Sequence, residues 1–372
     1  MDTFEYISAT PRVLFGSGTL EQLPSMLQTF KTKTVLILCT PQQVSTAETV
    51  QKIITDAGVA ESAIFSKAAM HTPTHITDRA VLFAQENKVD GIVSVGGGST
   101  VGLGKAISIR TGLPHLCIPT TYAGSEMTPI LGETENGRKT TRRDPKILPT
   151  AVLYDVDLFA TLPVGLTVFS GINAIAHAVE ALYASNTNPV IQLFACEGIR
   201  VLCEALPALL QSSEASQQDL LPQKAAREKA LYGAWLCGIC LGSVDMALHH
   251  KLCHTLGGLF NLPHAETHVV LLPHAVAYNA SAPAAAGAMA KLASVLPDAE
   301  GDAVRGINAL YRRLRTSQLS LGGLRMPETG IDEACDAALG SNRYKNPREL
   351  ERDGVRELIR RAWAGEQARR DL

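Results

Sequence analysis

His250 and His254 stand four residues apart in a stretch that continues through Gly257, Gly258, Asn261 and Pro263 to a third histidine, His264. On a helix, residues four apart lie one above the other on the same face. Gly257 and Gly258 read as the end of that helix, which leaves His264 in a loop. Asn173 and His177 repeat the same spacing inside the segment Ser170–Glu180. Imidazoles donate and accept protons near neutral pH and ligate borderline divalent metals. Two helical pairs and a loop histidine are what a helix bundle needs to surround one metal ion, or one anion. Unrelated structural histidines are the alternative. Five polar residues in segments otherwise rich in Ala, Val, Leu and Gly favour a shared site.

A second chemical feature lies upstream. Gly96, Gly97 and Gly98 follow the apolar run Gly91–Val95, and Ser99 and Thr100 lead into a helical pattern through Ile109. A strand, a glycine turn and a helix start present free backbone N–H groups to an anion, with the helix dipole adding positive potential. The dinucleotide fingerprint G-x-G-x-x-G is absent, so on spacing alone a tight turn and a phosphate site are equally good readings. A second loop, Pro119 to Glu126, tilts the balance. It carries Thr120, Thr121, Tyr122 and Ser125, and it follows the next strand, so both loops open at the carboxyl edge where open α/β sheets bind ligands. The run Thr34–Cys39 ends in Thr40 with no carboxylate to hold a ribose or repel a 2′-phosphate, so both NADH and NADPH are expected as cofactors.

The elements that hold these groups fall into two halves. Apolar runs at 34–39, 63–65, 91–95, 116–118 and 152–154 alternate with helical patterns, which predicts a parallel sheet covered on both faces. Helical patterns then follow one another at 165–184, 190–210, 223–241, 244–256 and 270–278, with a polar loop at 212–221. The expected architecture is an α/β cofactor-binding domain over residues 1–158 and an all-helical domain with the substrate site over 159–372. No internal repeat is evident.

Bulk properties exclude other classes. A chain with 46% hydrophobic and 19% charged residues is globular, and a net charge of −2 offers nucleic acid no basic stripe. The eight cysteines lack a paired spacing. Cys237 and Cys240 form the single C-x-x-C, inside an apolar helical run, and read as buried thiols in a reducing compartment. That run, Ala230–Leu248, approaches membrane-spanning length but carries Gly233, Gly238, Gly242, Ser243 and Asp245, so a buried helix is expected. The opening residues show no basic region ahead of an apolar core, so no signal peptide is expected. A cytoplasmic protein without membrane or nucleic-acid partners follows.

These motifs together resemble the iron-containing alcohol dehydrogenases. The likeness is carried by Phe15-Gly16-Ser17-Gly18, Gly96 to Ser99, Pro119-Thr120-Thr121, Gly124-Ser125-Glu126, the helix Ser170–Glu180, His250, His254 and His264, and Asn346-Pro347-Arg348. It runs in order from about residue 10 to 280. The resemblance implies a fold shared with dehydroquinate synthase-like enzymes, with nicotinamide and substrate in a cleft between the two domains. Asn173 stands where metal-dependent members carry aspartate, and the loop Thr120 to Glu126 also departs from theirs. Both departures resemble a branch that reduces the carbon–carbon double bond of maleylacetate to give 3-oxoadipate in aromatic degradation, usually as homodimers.

Under that resemblance His250 and His254 lie near the reacting carbons, with His177, His264 and Asn173 beside them and no metal. Thr121 and Tyr122 contact substrate or nicotinamide. Gly96, Gly97, Gly98, Ser99, Thr100, Thr40, Thr120, Thr121 and Ser125 hold the cofactor. Lys139, Arg142 and Arg143 are candidates for the substrate carboxylates, although the run also reads as a solvated basic loop. The alternatives are a metal-dependent dehydrogenase of small alcohols or aldehydes, a ring-forming carbon–oxygen lyase of related fold, and a non-catalytic dinucleotide-binding regulator.

Overall fold

All six strands of the main sheet run parallel in the computed structural model, which describes residues 3–136, 138–214, 220–340 and 344–371. The first unit spans Ile7–Leu162. Its elements are β1 (Arg12–Gly16), α1 (Leu23–Phe30), β2 (Thr34–Leu38), α2 (Val44–Asp56), β3 (Glu61–Phe65), α3 (Thr74–Glu86), β4 (Gly91–Gly96), α4 (Gly98–Thr111), β5 (His115–Pro119), β6 (Ile130–Glu135), β7 (Arg138–Arg143) and β8 (Ala151–Asp155). The sheet order is β1-β8-β5-β4-β2-β3, and β6 and β7 form a separate antiparallel pair.

Alternation along β2 explains why the sheet is covered on both faces. Val35 and Ile37 join one buried cluster with Leu23, Leu27, Val50 and Ile54 from α1 and α2. Leu36 and Leu38 join another with Ala80, Ala84, Leu103 and Ile107 from α3 and α4. Successive side chains of a strand point to opposite faces, so a continuous apolar run is buried twice.

Four features of this unit differ from the sequence pattern. The sequence pattern misses β1, an edge strand that pairs with β8 far along the chain. The run 34–39 is therefore the second strand, and the glycine loop follows the fourth rather than the third. The basic run at 139–143 is not a loop but strand β7, paired residue by residue with β6. Arg142, opposite Leu131 in the register, reaches diagonally to the Glu133 carboxylate at 3.7 Å.

The second unit comprises Met1–Tyr6 and Pro163–Leu372. Its helices are α5 (Val164–Tyr183), α6 (Pro189–Glu214), α7 (Leu220–Ser243), α8 (Leu248–Phe260), α9 (His264–Ala280), α10 (Ala286–Val295), α11 (Ala303–Arg313), α12 (Ile331–Leu339) and α13 (Arg352–Ala364). Helix α5 is buried from Gly171 to Tyr183. It is long and apolar enough to cross a membrane, but 72% of its apolar window is buried in the protein. Helices α6 and α7 pack closely where Gly198 meets Gly233: a Cβ on Gly198 would lie 2.8 Å from Cys237 Sγ and 3.1 Å from the Gly233 carbonyl oxygen. Cys237 and Cys240 are fully buried free thiols.

Helix boundaries differ from the sequence reading where other parts of the chain supply the caps. Helix α6 continues to Glu214, so only part of the expected polar loop at 212–221 is non-helical, and residues 215–219 lie outside the described residues. Helix α8 begins at Leu248, not Val244, after a 91° bend from α7. It runs through Gly257 and Gly258 and ends at Asn261, which takes the left-handed conformation (φ 50°) that terminates a helix. His264 is thus the first residue of α9 and not a loop residue.

Candidate active site

Helices α5, α8 and α9 bring the histidines together. His177 and His250 have ring centroids 5.0 Å apart, His250 and His254 6.4 Å, and His254 and His264 6.1 Å. Asn173, His177 and His250 are buried, whereas His254 and His264 are exposed, so the cluster has a buried floor and an open rim. Two further imidazoles belong to it. His268 lies 4.5 Å from His264 and 4.9 Å from His250, and His249 lies 4.9 Å from His268. The spacing rule that pairs His250 with His254 also pairs His264 with His268; reading His264 as a loop residue hides it.

The floor is short of hydrogen bonds. Asn173 Oδ1, His177 Nδ1, His250 Nε2 and both ring nitrogens of His268 have no partner among the described residues. Buried polar atoms are nearly always satisfied, so a concentration of unsatisfied ones marks a place where water, a ligand or an ion completes the bonding. Burial, reinforced by the neighbouring imidazoles, holds His177 and His268 well below the ordinary histidine range. Burial, with His250 adding to it, pushes His249 down to about 4. Several imidazoles in one apolar site are therefore neutral at neutral pH and present lone pairs as well as N–H donors.

Glu180, on the same helix as His177, ties the cluster to the start of α8. Its fully buried carboxylate accepts from His250 Nδ1 at 2.7 Å, and from the backbone N–H of Ala247 and His249 at 2.9 and 2.8 Å. Burial alone would raise its pKa, but the His250 imidazole and these amides bring it below the ordinary value. A carboxylate behind a histidine is also the usual support of a metal-ligating imidazole. His249, His250 and His268 bring ring nitrogens within 4.8 Å of one another, a donor set that a borderline divalent ion can accept, and the unsatisfied Asn173 Oδ1 and His177 Nδ1 belong to the same floor. The set carries no negative charge of its own.

In the α/β unit the register Gly96↔Pro119 sets the glycine and threonine loops side by side at one sheet edge. Gly96 takes φ 148°, and a Cβ there would lie 2.5 Å from Gln43 Oε1 and 2.6 Å from Thr100 Oγ1. A Cβ on Gly97 would lie 2.9 Å from Thr121 Oγ1. Gly98, at the head of α4, has only Ala123 Cβ near, at an ordinary 3.6 Å. Thr40 Oγ1 donates to Gln43, whose Nε2 donates to Thr120 Oγ1 at 2.7 Å, and the Thr120 amide donates to the Gly96 carbonyl. Thr40, Gly96 and Thr120 are therefore one network, joined by a glutamine that the sequence pattern does not single out. Ser99 is partly exposed beside them, and Thr100 is buried with its Oγ1 unsatisfied.

The rest of the second loop is held from below. Lys105 of α4 is fully buried and donates to the Ser125 carbonyl and hydroxyl, to Thr128 Oγ1 and to the Ile130 carbonyl. Ser125 is thus engaged from inside the protein. Tyr122 is 1% exposed and stacks on Phe159 at 5.1 Å. Both residues anchor the loop, while Thr121 remains partly exposed at its tip.

Residues 10–156 match the family model for iron-containing alcohol dehydrogenase, and residues 167–363 match the C-terminal model of the same family. The chain is 49% identical over 365 residues to a maleylacetate reductase of Burkholderia cepacia, covering 98% of this chain and 99% of that protein. The crystal structure of maleylacetate reductase from Agrobacterium tumefaciens superposes with a TM-score of 0.90 at 45% identity, covering 99% of this chain and 100% of the other. An iron-containing alcohol dehydrogenase from Corynebacterium glutamicum gives a TM-score of 0.88 at 36% identity, with 98% of each chain covered.

Proposed function

The chain belongs to the iron-containing alcohol dehydrogenase family, and on that premise we propose that it reduces the carbon–carbon double bond of maleylacetate to 3-oxoadipate, with NADH or NADPH as hydride donor. The full-length likeness to maleylacetate reductases carries this reading. Maleylacetate, a dicarboxylate, has a ketone conjugated to its alkene. Hydride adds to the alkene carbon β to the ketone, the π electrons move onto the ketone oxygen as an enolate, and a proton then adds at the α carbon. The reaction needs hydrogen-bond donors at the developing oxyanion and one proton source.

The histidine cluster supplies both. We assign His250 and His254 to the reacting carbons and ketone oxygen, with His177, His264 and Asn173 beside them. Asn173 has an amide N–H to donate where a carboxylate would repel an enolate. The cofactor phosphates fall to Gly97, Gly98, Ser99 and Thr100 at the head of α4, with Thr40, Gly96 and Thr120 shaping the edge and Thr121 facing the ligand. Asn173, His177, His250 and His264 would hold a divalent ion, which when bound supplies Lewis acidity at the ketone oxygen. We place the reaction on the imidazoles without it, because Asn173 removes the carboxylate that gives such a set its pull on a cation. Eight unpaired cysteines support a reducing, cytoplasmic setting, and the likeness to the family supports a homodimer.

The test is NADH oxidation by maleylacetate, with and without a strong chelator, beside a panel of short alcohols and aldehydes. The expected result is rapid maleylacetate-dependent oxidation that survives chelation, with NADPH also accepted. Turnover of simple alcohols only after metal loading would replace this reading with the metal-dependent dehydrogenase.

A further inference from the structure

We infer that Glu180 and His249 are positioning residues that decide which ring nitrogen of His250 carries the proton. The carbonyl oxygen of His268 can only accept, so the contact at 3.1 Å requires His249 Nε2 to donate. A neutral His249 then has its lone pair on Nδ1, which faces His250 Nδ1 at 3.4 Å. Glu180 Oε2, a carboxylate, accepts at the same His250 nitrogen at 2.7 Å. Two acceptors on one nitrogen place the proton of a neutral His250 on Nδ1. Its Nε2 is then a bare lone pair, buried and unpartnered, directed away from the support.

The same carboxylate fixes where His250 sits. Helix α8 starts with Ala247 at its cap position, a residue with no side chain able to cap. Glu180 reaches across from α5 and accepts from the amides of Ala247, His249 and, at 3.4 Å, His250. The first amides of a helix are otherwise unpaired and carry the positive end of its dipole. One buried carboxylate therefore caps the helix, sets the rotation of its first turn and selects the tautomer of the histidine on that turn. A merely structural cap would serve equally with any residue at position 250.

The tautomer follows from hydrogen bonding alone, and its catalytic consequence rests on the proposed maleylacetate reduction. There, with Nδ1 held by Glu180, His250 presents its unpartnered Nε2 to the ligand in one fixed orientation and one tautomer.

The experiment is ¹⁵N NMR of histidine-labelled protein at pH 8, with the His250 signals identified by their loss in His250→Gln, followed by kinetics of Glu180→Gln. Wild-type His250 should show a protonated Nδ1 and an unprotonated Nε2, the less common form of a free imidazole. In Glu180→Gln, whose neutral amide accepts more weakly and has one oxygen to share among these donors, the form protonated on Nε2 should become populated, and kcat should fall roughly 10- to 100-fold with KM for NADH unchanged. A wild-type His250 protonated on Nε2 overturns the inference, as does a folded Glu180→Gln variant with normal kcat. Should Glu180→Gln fail to fold, the wild-type spectrum decides. That spectrum needs no substrate, so failure to reduce maleylacetate would overturn the proposed function and leave the tautomer to its own measurement.

Discussion

Two buried polar sites, one in each unit, are built on opposite principles. Around Lys105 every donor is matched: the ammonium meets oxygens from Ser125, Thr128 and Ile130, with Thr128 at 2.9 Å and Ile130 at 3.0 Å. Around His268 and His250 ring nitrogens lie just as deep without a protein partner. A buried polar group without a partner costs about 1–3 kcal/mol, so the first arrangement stabilises and the second is a standing cost. The difference separates scaffold from site. Lys105 holds the loop that carries Thr121, whereas the histidine floor keeps bonding capacity open for a ligand.

The sharpest way to break this contrast is a pair of substitutions. Lys105→Met should leave several buried oxygens without their donor and lower stability by about 3–5 kcal/mol, as when one partner of a buried pair is removed. His268→Leu should leave stability within about 1 kcal/mol of wild type, or raise it, because no protein hydrogen bond is lost, while turnover falls. Urea unfolding of both variants decides, and equal destabilisation would erase the distinction.

Acid provides the next largest effect. His274 lies in α9 outside the cluster, and burial, aided by Arg361, pushes it down to about 4. The unfolded chain takes up this proton near pH 6.5 and the folded chain only near pH 4, so the unfolded state binds more protons between these values. Stability is therefore complete above pH 6.5 and is lost as pH falls toward 4, by about 3 kcal/mol for this residue. The urea midpoint of His274→Phe should fall correspondingly less over that window than that of wild type.

Asn173→Asp adds a negative charge to the unsatisfied floor. Affinity for a divalent ion, measured by calorimetry on metal-stripped protein, should rise at least about tenfold, or ~1.4 kcal/mol. Maleylacetate turnover should fall, since a carboxylate would face a dianionic substrate. An Asn173→Asp variant with unchanged metal affinity would remove position 173 from the donor set. The smallest effect is expected at the glycine loop. Gly98→Ala places its Cβ at an ordinary contact distance from Ala123, so the fold should be unchanged while NADH binds about tenfold more weakly. Full retention of NADH affinity in a fluorescence titration would take Gly98 out of the cofactor site.

Much of this was legible in the residues. The double burial of β2 and β4 follows from continuous apolar runs, and the histidine pairs follow from a spacing of four. Other features were hidden for identifiable reasons. Strand β1 owes its place to pairing with β8, well over a hundred residues away. Gly257 and Gly258 look like a helix terminator, although the helix passes through them and Asn261 takes the left-handed turn. His268 is hidden by a helix start at His264 that carries no sequence signal, and Gln43 by a neighbourhood that does not show it bridging Thr40 to Thr120.

Local period and composition mark the buried strands β2, β4, β5 and β8 and the apolar helices, and show that the polar residues in those helices are too many to be incidental. Tertiary structure alone decided what the site is made of. His250 and Glu180 are 70 residues apart, and nothing in either neighbourhood states that one carboxylate caps α8 and also holds His250 Nδ1. Periodicity reports the average environment of a face, whereas a hydrogen bond depends on distance and direction to within a few tenths of an ångström. Those are set only when α5, α8 and α9 pack against one another.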